Sequence, residues 1–186
     1  RWLLHISSHH LIMDHTTLEV LIEEVVAHLR KEDQLLTAPI PFRNFVAQAR
    51  RGHNTEEHEA FFRKMLGDIE TPTAPFGLLD VHGDGSNIVE AYRELPLELA
   101  QRLRAQARRY GATPAGICHL AWGLVLSRCS GQEDVVFGTV LFGRLQGGEG
   151  VERALGMFIN TLPIRIICDS RSVIDALRET QQILLS

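Results

Sequence analysis

The chain has 186 residues, of which 45% are apolar and 23% are charged. This composition is typical of one globular domain or pieces of two, and it excludes fibrous, collagen-like and fully disordered chains. The formal net charge is −4 and basic residues cluster only in short pairs such as Arg50-Arg51 and Arg108-Arg109, so we expect no nucleic-acid partner and no membrane surface.

The first part of the chain carries the patterns of one strand and three helices. Residues 2–7 are apolar enough for a strand. Apolar residues then recur at helical spacing from Leu18 to Leu29, and Asp14 to Thr16 are candidates for the N-cap of that helix. Residues 42–51 and 55–68 are predicted to form two further helices.

The middle of the chain begins with a change in composition. Residues 71–87 are rich in Gly, Pro and acidic residues and are predicted to link two subdomains. We expect a strand at 88–95 and a helix at 97–110. The next helix, 114–129, is apolar nearly all round, so we expect it to be buried, with Trp122 in the core.

The last part of the chain returns to strand patterns. Runs rich in β-branched residues predict strands at 134–141 and 159–168, and a helix is predicted from Ser172 onward. The glycine-rich segment 143–150 lacks the pattern of a phosphate-binding loop, so we expect a flexible loop. Because strands alternate with helices throughout, the sequence predicts a mixed α/β fold.

The cysteines predict the cellular compartment, and the chain ends predict that the sequence is a fragment. Cys118, Cys129 and Cys168 are odd in number and form no CxxC pair, so we expect reduced, buried thiols in a cytoplasmic protein. No apolar run is long enough to cross a bilayer. The chain opens without Met and closes inside a helical pattern, so we expect a fragment of a larger protein.

The densest group of chemically active side chains is His9, His10, Asp14 and His15. Imidazole titrates near neutral pH, so a histidine here could take a proton from a nucleophile and return it. Alternatively, the histidines end a strand and Asp14 caps the helix. A metal site is a third alternative, but the spacing matches no standard zinc pattern and adjacent strand residues point to opposite faces.

Two blocks of sequence resemble one protein family. The segment His9-His10-x-x-x-Asp14 resembles the HHxxxDG signature of the condensation domains of nonribosomal peptide synthetases, in the chloramphenicol-acetyltransferase-like superfamily. Residues 156–165, GMFINTLPIR, resemble the family's G-x-F-x-N-T-x-x-x-R block. Gly138-Thr139 and Gly143-Arg144 are similar to its GT and GR segments, and residues 42–46 to its aromatic-x-D-aromatic-A motif.

The chain departs from the family pattern at three points. His15 replaces the glycine of the signature, and Asn44 stands where Asp is usual. The Arg that pairs with the signature Asp lies upstream in the family, so no partner for Asp14 is predicted. The His pair argues against heterocyclisation domains, and Asn160-Thr161 argues against epimerisation domains.

The resemblance implies a chloramphenicol-acetyltransferase-like two-lobed sandwich, of which this chain holds under half. Residues 1–70 would be the C-terminal part of the N-lobe, 71–87 the linker, and 88–186 the truncated N-terminal part of the C-lobe. The implied reaction is amide formation between carrier-bound aminoacyl or peptidyl thioesters. His10 would act as a base or position the amine, while His9 and Asp14 would shape the loop. The resemblance places six residues along the substrate channel: His15, Gly143, Arg144, Met157, Asn160 and Thr161.

The implied partners are the carrier domains and the adenylation domain of the same megasynthase. Phosphopantetheine arrives on the carrier-bound substrates, so we expect no cofactor and no metal in this domain. Two alternatives stay open: a stand-alone acyltransferase that uses acyl-CoA, and a catalytically inactive docking remnant. We expect the isolated fragment to be inactive.

Overall fold

A computed structural model describes residues 3–51, 54–79, 82–84, 86, 88–146 and 150–185. Within these ranges, six α-helices and two β-strands follow in chain order: α1 (His15–Arg30), α2 (Phe42–Arg51), α3 (Thr55–Leu66), α4 (Leu97–Arg109), α5 (Pro114–Ser130), β1 (Asp134–Phe142), β2 (Ile159–Ile167) and α6 (Val173–Leu185). The predictions of all eight elements are confirmed, apart from shifts at their ends. None of the described helices combines the length and the apolar character that a membrane span requires.

Two predicted strands are wrong. Residues 3–7 and residues 88–95 have irregular backbone, and residue 2 lies outside the described ranges. A strand needs a neighbour that exchanges backbone hydrogen bonds with it, and the sheet of the described chain consists of β1 and β2. The apolar alternation at 88–95 finds no such neighbour there, and Val89 is 94% exposed.

Strands β1 and β2 form an antiparallel pair. Gly143 N donates to Phe158 O at 2.8 Å at one end of the pair, and Cys168 N donates to Glu133 O at 2.6 Å at the other. Because the two bonds join residues in opposite chain order, the strands run antiparallel.

Contacts along the chain divide it into two compact units. Unit 1 consists of Arg1–Phe61 and Val140–Leu162, and unit 2 consists of Phe62–Thr139 and Pro163–Ser186. The predicted lobe boundaries stay a prediction, but contacts group Val140–Leu162 with the start of the chain rather than with the rest of the predicted C-lobe. All residues predicted for the catalytic loop and the substrate channel therefore belong to unit 1.

Unit 2 has a core in which α5 and α6 pack with the strands. Its buried side chains are Leu120, Leu126, Val135, Ile164, Ile166 and Leu177. A Cβ at Gly123 would lie 3.2 Å from Ile166 Cγ2, so the absent side chain lets α5 approach β2 closely.

Arg165 links the last turn of α3 to strands β1 and β2. Its Nε donates to Asp134 Oδ1 at 2.9 Å, and its Nη1 donates to Asp68 Oδ1 at 2.6 Å and to Met65 O at 2.8 Å. The carbonyl of Met65 lies in the last turn of α3, where helices leave acceptors without an internal partner. The last residue of the G-x-F-x-N-T-x-x-x-R block thus has a structural role.

Helix α5 is covered on one side only, contrary to the prediction of complete burial. Trp122 is 52% exposed, so its predicted place in the core is wrong. The cysteines are free, but Cys118 is exposed and Cys129 and Cys168 are only half-buried, so the prediction of buried thiols is also wrong. A helix that is apolar all round needs cover on every side, and the described elements pack against one of its faces.

Candidate functional site

The candidate site in unit 1 is built on the N-terminus of α1. Asp14 has extended backbone, and its Oδ1 accepts a hydrogen bond from Thr17 N at 2.8 Å. A carboxylate in this position satisfies one of the amide groups that begin a helix without a partner. The predicted N-cap is confirmed, and it fixes the direction in which the chain leaves the loop of His9 and His10.

Asp14 also forms a buried ion pair that the sequence did not predict. Arg144 Nη2 donates to Asp14 Oδ1 at 2.8 Å, and the two side chains are 9% and 2% exposed. The other carboxylate oxygen of Asp14 accepts a hydrogen bond from Phe158 N at 3.2 Å. The partner of Asp14 therefore comes from the GR segment that follows β1.

Arg144 binds several further protein groups. Its Nη1 donates to Val151 O at 3.0 Å and to Ala154 O at 2.7 Å, and its Cζ lies 4.1 Å from the ring centroid of Phe158. Its Nε is buried and has no hydrogen-bond partner in the described part of the chain. The place of Arg144 along a substrate channel stays a prediction, and the observed contacts give it a structural role.

Two further residues complete this network, and the sequence analysis missed their contribution. Thr17 Oγ1 donates to Gly156 O at 2.7 Å and accepts from Gly156 N at 3.0 Å. We call Asp14, Thr17 and Arg144, with the backbone of Gly156 and Phe158, the Asp14 clamp. A threonine three residues after a candidate N-cap aspartate is the one local signal in the sequence that could have indicated it.

Electrostatics favour the charged form of Asp14. Burial alone would raise the pKa of Asp14, but hydrogen bonds from Arg144, Thr17 and Phe158 outweigh it, so the pKa lies below its ordinary value of 3.8. The Asp14 clamp therefore holds a carboxylate rather than a neutral acid near neutral pH.

This lowered pKa predicts that acid weakens the fold. A carboxyl group with a lower pKa in the folded state stabilises the fold above its unfolded pKa, about 4, and that contribution is lost as pH falls through the folded pKa. We expect the free energy of unfolding of the wild type to fall more steeply below about pH 4 than that of Asp14→Asn. Denaturant melts at several pH values test this, and parallel curves would contradict it.

An aromatic cluster packs next to the Asp14 clamp. The Phe158 ring centroid lies 5.0 Å from that of Phe42 and 4.7 Å from that of Phe45. A Cβ at Gly156 would lie 2.3 Å from Phe42 Cδ2, which no carbon contact tolerates. The glycine that opens the G-x-F-x-N-T block is therefore explained by the ring packed against it.

We expect Gly156→Ala to destabilise the protein by about 1–3 kcal/mol, because the added methyl group collides with Phe42 and must displace it. Thermal melts of the variant measure the effect. Phe42→Leu, which replaces the ring with a smaller aliphatic side chain, should recover some of the loss of stability in the double variant. Equal melting temperatures for the wild type and Gly156→Ala would contradict this explanation.

The three histidines of the predicted site have different surroundings. Leu11 N donates to His9 Nδ1 at 3.0 Å and Ile12 N donates to His9 O at 3.0 Å, so His9 organises a turn. His15 Nε2 lies 3.2 Å from Glu19 Oε1 on the exposed surface. The side chain of His10 is exposed, and within the described ranges it makes no hydrogen bond or ion pair. Of these three histidines, His10 is the one for which neither ring nitrogen has a partner among the described residues.

The other residues predicted to line the substrate channel lie in or next to β1 and β2. Gly143 bonds to Phe158 through its backbone, and Met157 is half-buried. Asn160 Oδ1 accepts a hydrogen bond from Thr161 N at 2.9 Å, and both side chains are exposed. Their role in a channel stays a prediction. Residues 147–149 of the predicted flexible loop lie outside the described ranges.

The possible metal ligands do not come together. His9, His10, Asp14 and His15 all lie in the described ranges, and no three His, Cys, Asp or Glu side chains of those ranges are placed to hold a metal ion. Both carboxylate oxygens of Asp14 already accept hydrogen bonds from protein groups.

Comparison with known proteins identifies the family. The model of the condensation domain family matches residues 1–186. The chain belongs to this family. It is 50% identical over 181 residues to malpibaldin synthetase of Mortierella alpina, an alignment that covers 97% of this chain and 3% of that protein. It is 30% identical over 178 residues to bacitracin synthase 3 of Bacillus licheniformis, covering 93% of this chain and 3% of that protein.

Solved structures agree with this assignment. The first condensation domain of the CDA synthetase matches with a TM-score of 0.69 and 26% identity, covering 95% of this chain and 41% of that one. The epimerization domain from the third module of tyrocidine synthetase B matches with a TM-score of 0.68 at 19% identity, which shows the fold alone. The predicted nonribosomal peptide synthetase condensation domain and its chloramphenicol-acetyltransferase-like fold are confirmed. The chain spans about two fifths of that solved condensation-domain chain and a few per cent of the curated synthetases.

Proposed function

We propose that the domain containing this chain forms an amide bond between two carrier-bound thioesters. The α-amine of the acceptor attacks the donor's thioester carbonyl, so a C–N bond forms and the C–S bond breaks. The donor's thiolate leaves, and the proton lost by the amine ends on that thiolate. The observation that carries this proposal is His10, which is exposed, has no hydrogen-bond or ion-pair partner in the described part of the chain, and lies on a loop whose C-terminal end is fixed by the buried Asp14 clamp.

The surroundings of His10 suit proton transfer or positioning of the amine. Its imidazole is accessible to an incoming substrate, while the turn at His9 and the cap at Asp14 restrict the loop on both sides. Holding an amine and a thioester in reacting geometry lowers a barrier by as much as about 7–11 kcal/mol. General acid–base help from one histidine adds roughly 10²–10⁴-fold. Both contributions require a loop held in one conformation.

We also propose the partners that this reaction needs. Donor and acceptor arrive on the phosphopantetheine arms of carrier domains, and an adenylation domain of the same megasynthase supplies the activated acyl groups. The domain itself uses no metal and no cofactor, and it acts as a condensation rather than an epimerisation or heterocyclisation domain. The similarity to malpibaldin synthetase and bacitracin synthase 3 supports this arrangement.

An assay that compares two forms of the donor tests the proposal. The intact polypeptide is given the same donor acyl group either on its upstream carrier or as a CoA thioester. The product on the downstream carrier is then detected by mass spectrometry. We expect amide product on the downstream carrier from the carrier-bound donor. Acyl transfer from the CoA thioester to a free amine, without product on the carrier, would favour the stand-alone acyltransferase. No transfer from either donor would favour a docking remnant.

A further inference from the structure

We propose that Thr17 is a positioning residue for His10. Helix α1 directly follows the loop of residues 9–14, here called the His10 loop, and the hydroxyl of Thr17 binds the start of this helix to the backbone of Gly156. The inference rests on the proposed function and concerns a residue three positions after Asp14. Thr17 lies in the first turn of α1 and its side chain is buried.

The hydroxyl of Thr17 uses its full hydrogen-bonding capacity. It donates to Gly156 O at 2.7 Å, and it accepts from Gly156 N at 3.0 Å and from Arg144 Nη2 at 2.9 Å. A hydroxyl has one hydrogen to donate and two lone pairs to accept. Arg144 Nη2 is shared with Asp14, so Thr17 is joined to the ion pair as well as to the glycine.

Gly156 cannot move away from this contact without other losses. Both its backbone N–H and its C=O are bound by Thr17, and its C=O also lies 3.4 Å from Asp14 N. The ring of Phe42 closes the opposite side, where a Cβ would lie 2.3 Å from Cδ2. Thr17 therefore sets the spacing between the end of the His10 loop and the segment that continues into Met157.

This spacing is what connects Thr17 to the reaction. His10 and Asp14 belong to one short loop, and the loop ends where Asp14 begins α1. Without the hydroxyl, buried polar groups of Gly156 and Arg144 lose a partner, and the segments shift to find others. A displacement of about 1 Å at a distance from the reacting atoms is enough to slow a reaction 10²-fold.

Two variants of Thr17 in the intact polypeptide test the inference. Thr17→Val keeps the shape of the side chain and removes all three hydrogen bonds, whereas Thr17→Ser keeps the hydroxyl. We expect Thr17→Val to lower kcat for amide formation roughly 10–100-fold with KM for the acceptor carrier unchanged, and Thr17→Ser to stay close to the wild type. Assays are run at a temperature where melts show each variant to be folded.

A second measurement separates this inference from the proposed function. Amide hydrogen exchange at Gly156 and Asp14 should be faster in Thr17→Val than in the wild type and unchanged in Thr17→Ser. Wild-type kcat in Thr17→Val, failure of Thr17→Ser to preserve it, or unchanged exchange in Thr17→Val would each overturn the inference. A failure of the proposed function is seen separately, as a wild type that forms no amide, and the exchange rates then decide alone whether Thr17 holds the loop.

Discussion

Replacing His10 with alanine in the intact polypeptide is expected to slow amide formation by roughly 10²–10⁴-fold, the usual effect of losing a general acid–base group. Its imidazole is exposed and makes no hydrogen bond or ion pair in the described part of the chain, so its removal leaves no buried group without a partner. The variant should therefore melt at the wild-type temperature. Single-turnover formation of the product on the downstream carrier measures the effect.

His28→Ala provides the matched control for this prediction. His28 is an exposed histidine in the last turn of α1, in the same unit as His10 and at the other end of the helix. We expect it to leave the rate of amide formation unchanged. Loading of the carriers, which other domains perform, should be unchanged in both variants. A full condensation rate in His10→Ala would show that His10 is not the catalytic residue.

Asp14→Ala is expected to lower the stability of the fold as well as the activity. The substitution removes the cap of α1, which is worth about 1 kcal/mol, and leaves the buried Arg144 without its counter-ion, which costs about 3–5 kcal/mol. Because natural domains have only about 5–15 kcal/mol of stability, we expect a large drop in melting temperature and in solubility. Thermal melts of the intact domain measure this.

An exposed acidic residue of the same helix is the control for Asp14. Glu23 pairs with Arg153 at 3.2 Å, but its side chain is 64% exposed, and exposed pairs contribute about 0–1 kcal/mol. Glu23→Ala should therefore melt close to the wild type. If Asp14→Ala were as stable as Glu23→Ala and still inactive, Asp14 would belong to the chemistry rather than to the scaffold.

The sequence predicted those parts of the site that depend on local pattern. The cap at Asp14 follows from a carboxylate placed directly before a helical run, and the helix itself follows from apolar spacing. The partner of Asp14 could not be predicted in this way, because Arg144 lies 130 residues away along the chain. Arg144 follows the end of β1, and Phe158 directly precedes β2. The antiparallel pairing of β1 with β2 brings these two residues together.

The wrong predictions have a common physical cause. Residues 88–95 alternate like a strand, but alternation becomes a strand only where a neighbouring strand completes the hydrogen bonds. Trp122 lies in an apolar helix, but an apolar helix is buried only on the faces that other elements cover. In both cases the surroundings that would satisfy the local pattern are not among the described elements.

A double-mutant cycle on Asp14 and Arg144 is the most direct test of the claim that a buried ion pair holds the His10 loop. The free energy of unfolding is measured by denaturant titration for the wild type, Asp14→Asn, Arg144→Met and the double variant, each in the intact domain. Because either single substitution leaves the other group buried without its partner, we predict that the double variant loses less stability than the sum of the singles, by about 1–3 kcal/mol. Effects that add to within about 0.5 kcal/mol would contradict the claim, because they would show that the two side chains stabilise the fold independently.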